Sequence, residues 1–68
     1  MSNEQDKARV IAAVAQLQTL DSMGAYSADI VREAGLGGSS VAEPILRDRE
    51  QAGTVHYTSG GRWKIGSS

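Results

Sequence analysis

The charged and hydroxyl side chains whose spacing suggests a shared binding surface lie in the second half of this chain. Glu43 and Arg47 stand four residues apart, Ser39 and Ser40 precede them, and Arg62 and Lys64 alternate with Trp63. A guanidinium offers a planar fork of donors to a paired acceptor, an ammonium is a compact charge, and hydroxyls are neutral partners. The Glu43 to Arg47 spacing equally suits a helical ion pair worth about 0.3 to 0.5 kcal/mol. Arg62 and Lys64 equally suit a hairpin that carries charge to stay soluble. Covalent and metal chemistry lack their tools. There is no cysteine, and the single histidine, His56, cannot hold a metal alone. No serine stands beside a usable base, and Gly60-Gly61 has neither the Gly-Lys-Ser/Thr ending nor the following helix of a phosphate loop. No catalysis and no cofactor are expected.

These residues need a scaffold, and 68 residues make one domain, spanning 1–68 with an ordered core at about 4–65. At this size a single core barely offsets the entropy of folding, so stability must come from packing, with or without help from a partner. The apolar run Val10 to Ala15 is too short for a membrane span or a signal segment, and Glu4, Asp6, Lys7 and Arg9 precede it. A soluble, cytoplasmic protein is expected. The net charge of -1 argues against a protein that coats nucleic acid by bulk electrostatics. The balance nevertheless shifts along the chain. Residues 1–38 carry Lys7, Arg9 and Arg32 against five acids, a charge of -2, while residues 39–68 carry Arg47, Arg49, Arg62 and Lys64 against three, a charge of +1.

Hydrophobic spacing predicts a first helix from about Glu4 to Leu20, with Val10, Ile11, Val14 and Leu17 on its inner face, Ser2 or Asn3 as cap, and Glu4 and Asp6 at the positive end of its dipole. Asp21, Ser22 and Gly24 stop it, and Ala25 with Tyr26 reads as a brief extended segment. Ser27 is placed to cap a second helix, Ala28 to Ala34, which Gly35 ends in a left-handed conformation while Leu36 closes over it. Ser40 and Glu43 have the form of a capping box opening a third helix, 41–52, in which Pro44 is tolerated early and which Gly53 ends. From Thr54 to Ile65 two alternating runs flank the turn Ser59-Gly60-Gly61. Val55, Tyr57, Trp63 and Ile65 are expected inward, and His56, Arg62 and Lys64 on the other side, with His56 solvated. Gly66 to Ser68 should be a loose tail.

Three helices with a glycine-containing turn before the third, then a hairpin, resemble the winged helix-turn-helix family over Val10 to Ile65. The segment Ser27 to Leu36 resembles the helix and turn of bacterial repressors of that family. The ending Gly53 to Ile65 is similar to the wing of several branches, including the Z-DNA-binding branch, where a tryptophan also precedes the final strand residues. That branch carries an asparagine and a tyrosine on its third helix and a proline pair before the tryptophan. This chain has Glu43, Arg47 and no such prolines, so Z-DNA recognition is not carried over. Arg49 stands where the family usually has a leucine. Either its stem covers the core edge with its head in solvent or paired, or a second subunit completes the core there.

The resemblance implies an α+β fold, a three-helix winged helix-turn-helix with a C-terminal two-stranded wing, and double-stranded DNA as partner. Helix 41–52 would enter the major groove and wing 54–65 would meet the backbone or minor groove. On that basis the DNA-facing residues are Ser39, Ser40, Glu43, Arg47, Arg62 and Lys64. Arg47 is suited to guanine O6 and N7, Glu43 to cytosine N4, and Ser39 and Ser40 to a phosphate at the helix N-terminus. A homodimer through the first helix would present two reading helices. The alternative is a winged-helix module that binds a protein partner, with Leu20 and Met23 as sensitive positions, since fold alone does not decide between these uses.

Overall fold

The computed structural model describes residues 4–66. Helix α1, Glu4–Leu20, forms as its spacing demands: Val10, Ala13 and Val14 are buried along one stripe, with Ile11 and Leu17 packed beside them, and Glu4 and Asp6 lie in the first turn. Its expected caps, Ser2 and Asn3, lie outside the described residues. The chain leaves α1 through a turn in which the Gly24 N–H donates to the Asp21 carbonyl at 3.0 Å and the Met23 N–H donates to the Asp21 carboxylate at 3.0 Å.

Helix α2, Ser27–Ala34, starts one residue earlier than expected, and Ser27 does not cap it. The Tyr26 carbonyl already accepts the first helical bond, from Ile30 at 3.0 Å, so Tyr26 in extended conformation is the cap and Ser27 lies within the first turn. The C-terminus follows the sequence reading: Gly35 is left-handed at φ 73°, and the Leu36 N–H reaches back to the Val31 carbonyl at 3.0 Å while Leu36 packs on the core.

Helix α3 is Ser39–Gln51 and buries Ala42, Ile45 and Leu46. Here the expected capping box is corrected. Gly38 is the cap, with its carbonyl accepting from Val41 at 3.0 Å, so Ser39 and Ser40 are already helical and no side chain caps the end. Pro44 is therefore the sixth helical residue rather than the fourth, and it denies a partner to the Ser40 carbonyl on an exposed side of the helix.

Strands β1, Val55–Tyr57, and β2, Trp63–Ile65, pair antiparallel, with Val55 opposite Ile65, His56 opposite Lys64 and Tyr57 opposite Trp63. The other edge of β2 is bridged by Ala25, whose N–H and carbonyl both bond Trp63, at 2.9 and 2.7 Å. The layout of three helices followed by a two-stranded sheet is consistent with a winged helix. One inward expectation fails in part. Val55 and Trp63 are buried, but Tyr57 is 54 % and Ile65 37 % exposed, because the helices cover only one diagonal of this short hairpin and its other diagonal overhangs. Gly66 is not a loose tail: its N–H donates to the Thr54 carbonyl at 2.7 Å and its carbonyl accepts from His56 Nδ1 at 2.8 Å. His56 is accordingly half-buried and bonded rather than solvated. Ser67 and Ser68 lie outside the described residues.

Candidate functional site

The outer stripe of α3 is where the sequence-expected residues meet. Ser39 and Ser40 are exposed at its start, followed on the solvent side by Glu43 and Arg47. Ala42, Ile45 and Leu46 hold this geometry by anchoring the opposite face in the core, so the stripe is turned outward by the same packing that fixes the helix. Glu43, Arg47 and Glu50, at intervals of four and three, form one wall of an open groove of about 280 Å³. Its other wall is Ser27 at the start of α2 with Tyr57, Gly61 and Trp63 of the hairpin. The Tyr57 and Trp63 rings meet at 4.9 Å between centroids with a 58° tilt, which stiffens that wall.

The ion pair that the spacing of Glu43 and Arg47 allows is not formed. Among the described residues neither takes part in a salt bridge, so the guanidinium stands free on the exposed stripe. Arg49, two residues on, behaves differently. It is half-buried, with Nη2 2.6 Å and Nε 3.0 Å from Asp48 Oδ2, which also lies 3.7 Å from Lys7 Nζ of α1. The hydrogen bond from Arg49, aided by the Lys7 charge, holds the Asp48 carboxyl below the usual carboxylate range. Arg49 thus matches the reading in which its stem lies at the core edge and its head is paired within its own chain.

Arg62 and Lys64 are not brought to the groove. Lys64 lies on the strand face opposite Trp63, and its stem presses beside Gly24, where a Cβ would stand 2.8 Å from Lys64 Cγ. Arg62 turns toward the end of α1: its Nη1 is 2.6 Å from Asp21 Oδ2, and its guanidinium carbon lies 4.6 Å from the centre of the Tyr26 ring. The Met23 N–H and then Arg62 hold the Asp21 carboxyl below its ordinary range, while Tyr26 and Asp21 push the Arg62 guanidinium further toward its charged form. The three cations that a continuous basic surface would need are therefore divided between the groove and the junction of α1 with the hairpin.

Some contributors are not evident from the sequence. Glu50 is the exception, since its spacing extends the Glu43 and Arg47 stripe by one more turn. Alternation alone points Tyr57 into the core, and Asp21 is separated from Arg62 by 41 residues, so no local spacing announces either role. Elsewhere on the surface, Leu20 is 76 % and Met23 66 % exposed. Among the described residues no cluster of three or more acids, histidines or cysteines could hold a metal ion, and no helix is long and apolar enough to cross a membrane. Comparison with known proteins finds no matching family model, no matching curated protein and no matching solved structure.

Proposed function

We propose that this protein binds duplex DNA in a sequence-dependent way, as a small, non-catalytic regulator of transcription or organiser of DNA acting in the cytoplasm. The observation that carries this is the outer stripe of α3, exposed from Ser39 to Arg47 and left without internal salt bridges among the described residues. A helix so presented fits the major groove with its N-terminal half toward the bases. Arg47 would make the bidentate contact to guanine, worth about 1 to 3 kcal/mol of discrimination. Glu43 would accept from cytosine N4, and Ser39, Ser40 and the free N–H groups at the helix start would hold a phosphate. Lys64 would reach the backbone from the outer face of the hairpin. Two copies, joined near the end of α1, would serve two half-sites.

The deciding experiment is selection from a pool of random duplex DNA at two salt concentrations, followed by sequencing of the retained fraction. A motif rich in G·C pairs should be enriched. With so few free cations, log affinity should fall against log salt with a slope of only about -2 to -3 per subunit, at roughly -0.9 per phosphate. Arg47→Ala should lose preference at one base pair. No retention at low salt would sink the proposal. It would leave the second reading, a protein-binding module, which has its own support in the two carboxylates that flank Arg47 in the groove. Acids on a DNA-facing wall repel phosphates, whereas they suit a basic segment of a protein.

A further inference from the structure

We infer that Arg62 is a positioning residue, which fixes the hairpin against the connection between α1 and α2 and acts through Asp21 and Tyr26 rather than through a phosphate. Its functional consequence rests on the DNA-binding proposal; the latch itself does not.

Several contacts converge on this one side chain. The guanidinium edge holds the Asp21 carboxylate at 2.6 Å while the Tyr26 ring lies 4.6 Å from the guanidinium carbon, so a single group uses its fork and its positive charge on two residues that bracket the α1 to α2 turn. The Arg62 backbone closes the hairpin turn at the same time: its carbonyl accepts from the Thr58 N–H at 2.7 Å and its N–H donates to Thr58 Oγ1 at 3.2 Å. One residue further, Trp63 makes its double bridge to Ala25. Arg62 therefore ties the turn end of the hairpin to the segment whose Ala25 bridges β2, and it is only 25 % exposed. A phosphate that recruited Arg62 would have to take it from Asp21 and leave that carboxylate facing the DNA. A cation already neutralised in this way releases no net counterion on binding, which predicts that Arg62 is silent in the salt dependence.

The test compares the unaltered protein with Arg62→Gln, Asp21→Asn and the exchanged pair Asp21→Arg with Arg62→Asp. Thermal unfolding and the salt dependence of binding to the selected DNA are measured for each. Arg62→Gln and Asp21→Asn should lower the melting temperature by similar amounts and weaken DNA binding several-fold, with the slope against log salt unchanged. The exchanged pair should recover part of both losses, since its charges again meet across the junction. If Arg62→Gln reduces the slope by about one while Asp21→Asn strengthens binding, Arg62 is a phosphate contact and the inference is wrong. Should the unaltered protein bind no DNA, the proposed function fails, and the latch is judged on melting alone: losses that add fully in the exchanged pair overturn it, and recovery sustains it.

Discussion

At the scale of the residue, two glycines with positive φ hold very different positions. Gly35 ends α2 at φ 73° with no atom within 4 Å of where a Cβ would stand, so its requirement is purely conformational. Gly24, at φ 105°, would in addition drive a Cβ to 2.7 Å from the Trp63 carbonyl oxygen and 2.8 Å from Lys64 Cγ. The carbonyl is backbone held by the bridge to Ala25 and cannot move aside cheaply. Gly35→Ala should therefore cost about 1 kcal/mol, the usual penalty for a left-handed alanine. Gly24→Ala should cost clearly more, about 2 to 4 kcal/mol, because strain and a backbone clash add. Urea denaturation of the two variants checks the order, and an equal cost at both sites would mean that the hairpin can shift away from the turn. The sequence marks both glycines as helix stops but not this difference, which depends on a strand almost forty positions away.

At the scale of the element, Pro44 is the residue least suited to its place. Because α3 begins at Ser39 and not at Val41, the ring lies beyond the first turn, where it removes the bond that residue 44 would donate to the Ser40 carbonyl. Pro44→Ala restores that bond and should raise stability by about 1 kcal/mol, less than the full interior penalty because proline also restricts the unfolded chain. A thermal melt decides, and a lower midpoint would place the strain elsewhere. The displaced start explains what sequence reading could and could not reach. The apolar period locates all three helices, and α1 with its ends at Glu4 and Leu20, because burial is periodic and strong. Cap positions depend on which carbonyl accepts the first bond, and here the Tyr26 and Gly38 carbonyls do so ahead of the serines. Likewise, alternation identified the shared face of Val55, Tyr57, Trp63 and Ile65, but the extent of helix beneath that face is a tertiary quantity, and it covers only Val55 and Trp63.

At the scale of the whole molecule, dimensions bear on the proposed binding of DNA. The described residues extend 29 × 22 × 16 Å, and successive half-sites on one face of B-DNA lie about 34 Å apart. On that proposal one copy presents one α3 helix and cannot serve both half-sites, so a palindromic site would require two. The apolar side chains proposed to join them are those of Leu20, the last residue of α1, and Met23 in the turn that follows, both among the most exposed large hydrophobic residues. Replacing both by glutamate touches neither the core nor the α3 stripe, so the monomer should fold with an unchanged melting temperature and still bind an isolated half-site with its original affinity. Binding to the full palindrome should lose cooperativity, with two copies loading independently in a titration followed by analytical ultracentrifugation. Retained cooperativity in the double variant would move the contact away from this end of α1. A loss of half-site affinity would instead show that the end of α1 and the proposed DNA-facing stripe of α3 are coupled through the Asp21 turn that follows Leu20.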